Sequence, residues 1–192
     1  MKYKNESIST EIFDSKIKAL ENELNPHFLF NALNSISELI YQDQKKAEKA
    51  TLDLSAFLRN AITRDSVIEL KNEIQMVETY LKIENIRFDN KIKLETNISE
   101  ELRKIEIPKF SIQLLVENAI KHGFHSKELH INIDAKNQQI EVSNDGLLNE
   151  SITFGTGLSN LHKRLELLEI GNLNYKQENE KMIFTIDLKG KK

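Results

Sequence analysis

Leu24-Asn25-Pro26-His27-Phe28-Leu29-Phe30-Asn31 sets a single histidine directly behind a proline inside an otherwise helical pattern. Proline removes a backbone donor and clashes with the preceding turn, so a helix bends or restarts there at a cost of about 3 kcal/mol. Asn25 is a suitable N-cap for the restart. Upstream, the apolar residues Phe13, Ile17, Leu20 and Leu24 recur at steps of four and three; downstream, Leu29, Leu33, Ile36 and Ile40 do the same, out of register with the first set. At about 100° per residue His27 lies roughly 200° from Leu29, so it faces away from the second stripe, towards solvent or a partner. An isolated histidine near apolar residues is more often a packed side chain than a reactive one, and the remainder of the chain has to decide between the two.

Outward from that stretch, the periodicity predicts one long helical element from about Ser9 to Tyr41, then a second helix carrying Ala47, Ala50, Leu54, Phe57 and Ala61. Two such stripes make an antiparallel hairpin. Two helices enclose little apolar volume, so the hairpin is expected to double itself into a four-helix bundle through a homodimer. Around Arg64 to Ser66 the pattern lapses, which puts a domain boundary between residues 1–66 and 67–192. Val67-Ile68-Glu69-Leu70 then leads into an amphipathic helix through Ile74, Val77, Tyr80, Leu81 and Ile83. A strand follows at Ile92, Leu94, Thr96 and Ile98, and Pro108 precedes a helix from Phe110 to His122 that Gly123 stops. Strands at Leu129 to Ala135 and Gln139 to Ser143, a glycine-bearing loop, a helix from about Gly157 to Glu169 and two closing strands, the last at Met182 to Leu188, complete the order. It predicts an α+β sandwich with helices on one face of a mixed sheet.

Composition narrows the function. The 192 residues are 39% hydrophobic and 30% charged with a net charge of −3, and the two signs are interspersed, which argues against nucleic acid as a partner. The absence of cysteine excludes disulfides, thiolate zinc sites and thiol nucleophiles. No apolar stretch approaches the roughly 20 residues of a membrane span and Met1 to Asn5 lack a signal-peptide core, so the chain as given reads as soluble and free of a membrane span.

The chemistry concentrates in three places. On the helix ending at His122, Ile112, Leu115, Val116, Ala119 and Ile120 occupy one arc, whereas Asn118, Lys121 and His122 share the opposite arc with Glu117 beside it; Leu114 is out of place on the polar side. An amide oxygen, a carboxylate and a cation on one turn can hold Mg²⁺ and nucleotide phosphates, although a solvated helix face has the same look. Ser143-Asn144-Asp145-Gly146 ends a strand in a turn that lets a flat base approach the backbone. Gly155-Thr156-Gly157 opens a helix and offers free N–H groups to phosphate oxygens.

Taken together, Asn25 to Asn31, Tyr80-Leu81-Lys82-Ile83-Glu84 with Arg87-Phe88, Leu115 to Gly123, and Gly155-Thr156-Gly157-Leu158-Ser159-Asn160 with Arg164-Leu165 resemble the LytS-type sensor histidine kinases in the order of their blocks. The resemblance implies a dimerisation and phosphoacceptor hairpin followed by a Bergerat-type, GHKL-class ATP-binding domain, hence a cytoplasmic histidine kinase core using ATP and Mg²⁺. By it, His27 is the phosphoacceptor, Asn118 the Mg²⁺ ligand, and Lys121 and His122 lie near the phosphates. Asn144, Gly146, Gly155, Thr156, Gly157, Leu158 and Asn160 line the nucleotide site. Glu117 is the carboxylate available to polarise the imidazole, because Phe28 follows His27 and supplies no acid. Asn31, one turn after His27, is placed to orient a water for dephosphorylation. The phosphoryl group would pass to an aspartate on a response regulator, which the family suggests is of the LytTR type. Family members carry membrane sensor segments upstream, so the input would reach His27 from further polypeptide or from a partner.

Two departures from the wider pattern bear on the nucleotide site. Kinases of this fold usually carry aspartate two residues before the first glycine of the adenine turn, where this chain has Asn144; Asp145 is one residue off, which at a strand end turns its side chain to the other face. A neutral amide oxygen still accepts the hydrogen bond from adenine but more weakly, so loose ATP binding is expected. The lid from Gly146 to Gly155 is short, with Leu147 and Leu148 in place of an early glycine. Two other readings stay open on these residues: a GHKL serine kinase of the anti-sigma kind, and a dimeric scaffold with a decayed nucleotide site.

Overall fold

The computed structural model describes residues 25–125, 127–146 and 155–189. The expected helical stripe from Phe13 to Leu24 and the lid residues 147–154 lie outside them. The chain forms two units that divide between Thr63 and Arg64, just ahead of the expected boundary after Ser66. The Ser66 carbonyl accepts from Lys109 N at 3.0 Å and from Arg164 Nη2 at 3.4 Å, which ties it to the C-terminal unit.

The N-terminal unit is a helical hairpin of α1 (Pro26–Gln42) and α2 (Gln44–Ala61). Asn25 caps α1 as expected: it is extended, as a residue before proline must be, and its side chain accepts from His27 N at 3.1 Å. Pro26 occupies the first helical position, where its missing donor costs nothing. One residue makes the hairpin turn. Asp43 donates its N–H to Leu39 O at 2.7 Å, ending α1, and its carboxylate accepts from Lys46 N at 3.1 Å, starting α2. That backbone hydrogen bond holds the Asp43 carboxyl below its ordinary range.

The five expected positions on α2, Ala47, Ala50, Leu54, Phe57 and Ala61, are all buried. On α1 the expected stripe needs correcting. The buried residues are Phe28, Ala32, Ser35 and Ile36, while Leu33 and Ile40 are 56% and 50% exposed. The inner face is set by Phe28, whose ring meets Phe57 edge-on with centroids 5.2 Å apart, and by Ala32, small enough for the helices to approach. Counting large aliphatics favoured the leucines and missed both.

The C-terminal unit pairs a two-stranded antiparallel ribbon with a five-stranded sheet. The ribbon is β1 (Val67–Glu69) against β3 (Glu106–Pro108). A three-residue run shows no period, so Val67 to Glu69 read as a helix approach rather than as a strand. Helix α3 (Leu70–Arg87) follows, then β2 (Ile92–Ile98), β3, α4 (Ser111–Gly123), β4 (Leu129–Lys136), β5 (Gln139–Asn144), α5 (Thr156–Leu167), β6 (Gly171–Glu178) and β7 (Lys181–Leu188). The sheet order is β2-β4-β5-β7-β6, with β2 and β4 parallel and every other pair antiparallel. This is the expected α+β sandwich. Leu129, Ile131, Ile133 and Ala135 of β4 and Ile140 and Val142 of β5 are buried beneath the helices, among them Val77 of α3, Leu115 and Val116 of α4, and Leu165 of α5. Among the described residues no helix is long and apolar enough to cross a membrane.

Candidate active site

In the N-terminal unit, His27 is exposed on the first turn of α1. The Asn31 amide nitrogen, one turn on, lies 3.2 Å from its Nδ1 and 3.4 Å from its Nε2. The roles of the two ring nitrogens depend on the tautomer, and whichever carries the lone pair is the one that can act as a nucleophile.

In the C-terminal unit the site is built on α4. Its N-cap, Phe110, sits in the left-handed region at φ 64° and offers no capping side chain. The cap comes from α3 instead: Glu73, fully buried, accepts from Phe110 N at 3.0 Å, Ile112 N at 3.0 Å and Gln113 N at 3.2 Å. Burial pushes the Glu73 carboxyl up to about 7, against the pull of those three N–H groups and of the Arg164 charge. One signal in the sequence pointed here: α3 carries two acids, Glu73 and Glu84, at positions of its apolar stripe, and both are buried. Glu84 pairs with Arg87 Nη2 at 2.6 Å.

Further along α4, Gln113 Nε2 donates to Glu117 Oε1 at 2.8 Å, and Asn118 Nδ2 donates to Leu114 O at 2.8 Å. With its nitrogen committed to its own helix, the Asn118 amide has its oxygen left to accept or ligate. Lys121 and His122 are exposed in the last turn. Leu114, the apparent misfit, lies under the start of α5: a Cβ on Gly157 would come within 3.0 Å of its Cδ1.

The end of α4 and the end of β5 meet through two glycines. A Cβ on Gly123 would lie 2.7 Å from the Asn144 amide nitrogen, and one on Gly146 would overlap the Gly123 backbone. Neither glycine has positive φ, so close approach accounts for them. Asn144 is 4% exposed, on the helix-covered side of the sheet. Asp145 turns away, its carboxylate accepting from His130 N at 2.8 Å and lying 2.8 Å from His130 Nδ1. At the other rim α5 begins behind Gly155, which supplies no capping side chain. The first intrahelical bond runs from Ser159 N to Gly155 O at 3.1 Å, so the N–H groups of Thr156, Gly157 and Leu158 precede it. Thr156 and Asn160 are exposed, whereas the Leu158 side chain is buried and anchors the helix.

Among the described residues no three His, Asp or Glu side chains gather as a metal site. One amide oxygen beside phosphates fits Mg²⁺, which is usually held by one or two protein groups together with substrate oxygens. Three residues of this framework, Glu73, Gln113 and Arg164, were not assigned from sequence. Arg164 stood in a motif block with no role, and here it reaches the Ser66 carbonyl.

The topology of this sandwich is that of the catalytic domains of histidine kinases. The family model described as Histidine kinase matches residues 15–92. The sensor protein LytS of Bacillus subtilis (strain 168) is 45% identical over 117 residues, covering 60% of this chain and 20% of that protein. The sensor protein LytS of Staphylococcus epidermidis is 37% identical over 174 residues, covering 79% of this chain and 29% of its own length. The chain thus spans under a third of these two curated relatives. The solved cytoplasmic segment of histidine kinase QseC shares the fold with a TM-score of 0.50 at 13% identity, covering 75% of this chain and 93% of that one. Over the part of their length that it spans, the chain is similar to the LytS-type sensor histidine kinases.

Proposed function

We propose that the chain is the cytoplasmic core of a two-component histidine kinase, which transfers the γ-phosphoryl group of ATP to His27 and passes it on to an aspartate of a response regulator, of LytTR type by family resemblance. The observation that carries this is the exposed His27 imidazole with the Asn31 amide against its ring nitrogens, in a chain similar to these kinases. A ring nitrogen lone pair attacks the γ-phosphorus in line; an N–P bond forms, the bond to the β,γ-bridging oxygen breaks and ADP leaves. Glu117 polarises the imidazole, its carboxylate stabilising the positive charge that develops on the ring as the N–P bond forms. Asn118 would ligate Mg²⁺, which supplies charge neutralisation on the phosphates. Lys121, His122 and the N–H groups at the start of α5 bind the phosphate chain, and Asn144 accepts from the adenine amine beside Gly146. Asn31 orients the water that reverses phosphorylation.

The hairpin works as a homodimer in this reading. Phe30, Leu33, Ile40 and Tyr41 of α1 are exposed, more apolar surface than one hairpin leaves to water without cause.

Incubating wild type and His27→Ala with radiolabelled ATP and Mg²⁺, followed by acid and base challenge, tests the proposal. Acid-labile, base-stable label that disappears in His27→Ala is expected, since a phosphoramidate hydrolyses in acid. Acid-stable label would point to a serine acceptor, and no label together with no binding of millimolar Mg-ATP to a scaffold.

A further inference from the structure

Gln113 is 2% exposed, in the first turn of α4. Its Nε2 donates to Glu117 Oε1 at 2.8 Å, while its Oε1 is buried with no hydrogen-bond partner among the described residues. An unpaired buried carbonyl costs free energy, and a methionine or leucine would fill the same space without that cost. Packing therefore gives no reason for an amide here; the contact that uses it is the one to Glu117. The donor is also held still. Gln113 N is bonded to Oε1 of the buried Glu73, so the turn that carries the amide is pinned from α3. Glu117 is half-buried, and Tyr80 of the neighbouring helix α3 feels its charge, the hydroxyl pushed up by burial and by the charges of Glu117 and Glu84.

We propose that Gln113 is a positioning residue: its buried amide grips one oxygen of Glu117 and fixes the carboxylate in the rotamer that serves phosphoryl transfer to His27. This rests on the kinase reading and on the role given there to Glu117. A carboxylate held within a narrow angular range loses less freedom on reaching the reactive geometry than one that samples several rotamers.

The test is steady-state autophosphorylation of the full chain across ATP concentrations in wild type, Gln113→Met, Glu117→Gln and the double variant. Gln113→Met is expected to lower kcat about tenfold with KM for ATP within about twofold, and to cost nothing further in the Glu117→Gln background. Unchanged kcat, or the same fold-loss in both backgrounds, would overturn the proposal while leaving the kinase reading intact. Gln113→Asn keeps an amide one methylene too short to reach and is expected to lose as much; wild-type rates in it would also overturn the idea. Independently of activity, the Gln113 side-chain amide proton resonance is expected downfield and protected from exchange in wild type, and to lose both properties in Glu117→Ala. An amide signal indifferent to Glu117 removes the contact on which everything here depends. A wild-type chain that binds Mg-ATP yet never labels His27 would sink the kinase reading and this role with it.

Discussion

At the scale of single residues, the turn at the end of β5, proposed above to meet adenine, shows how one position of strand register assigns chemistry. Asn144 and Asp145 are adjacent, and the more acidic of the two is the tempting ligand. The pleat puts Asn144 beneath the helices against Gly123, and Asp145 is consumed by His130 on the other side. Asn144→Ala is therefore expected to weaken Mg-ATP binding about tenfold by calorimetry, the loss of one good hydrogen bond, whereas Asp145→Ala changes it less than about twofold. The reverse order would mean that the turn is misassigned. The dephosphorylation role proposed for Asn31 is separable: Asn31→Ala is expected to keep autophosphorylation and lose phosphatase activity towards the regulator, and unaltered phosphatase activity would remove that role. Gly123→Ala is expected to cost about 1 to 3 kcal/mol in chemical denaturation, because the added methyl meets the Asn144 amide and the Gly146 backbone.

At the scale of elements, α4 is a functional helix whose N-terminus is capped by another element. Glu73 accepts from its N-cap N–H and from two N–H groups of its first turn, a task that short-range capping signals cannot reveal because the acceptor is 37 to 40 residues away in sequence. Glu73→Gln replaces an oxygen by a donor facing donors and is expected to lower stability by about 1 to 3 kcal/mol. The pH dependence has a definite sign. With the folded carboxyl raised to about 7 from the ordinary 4.5, the native state holds an extra proton between those values. Stability from this group is thus fully present below the unfolded value and falls as pH rises towards 7, by as much as about 3 kcal/mol. Denaturation at several pH values should show that slope in wild type and not in Glu73→Gln; parallel curves would mean that Glu73 is ionised throughout. The α1 stripe carries a related lesson. Its inner face was misplaced from sequence because an aromatic ring and a small residue, rather than the leucines, decide which side two helices can bring together.

At the scale of the whole molecule, the hairpin has more apolar surface than its own partner helix covers. Phe28, Ala32 and Ile36 meet α2, while Phe30, Leu33, Ile40 and Tyr41 remain exposed. Sedimentation at tens of micromolar is expected to give the mass of a dimer for wild type and of a monomer for Leu33→Glu, since a charge on that face would be buried without a partner. A monomeric wild type would contradict the bundle.

Much of this protein was decided by local sequence alone: the start of a helix behind Asn25-Pro26, the exposure of His27, the buried stripe of α2, the helices of the sandwich with the strands β2, β4, β5 and β7, and the four motif blocks. These depend on backbone dihedrals, capping and periodicity, which act over a few residues. Tertiary structure decided the rest. It converted Val67 to Glu69 into a strand by supplying Glu106 to Pro108 as a partner, gave Leu114 its cover in Gly157, brought Glu73 to the head of α4, and joined Gly123 to Gly146. Each of these joins groups distant along the chain, and burial or hydrogen bonding between such groups exists only after the chain has folded.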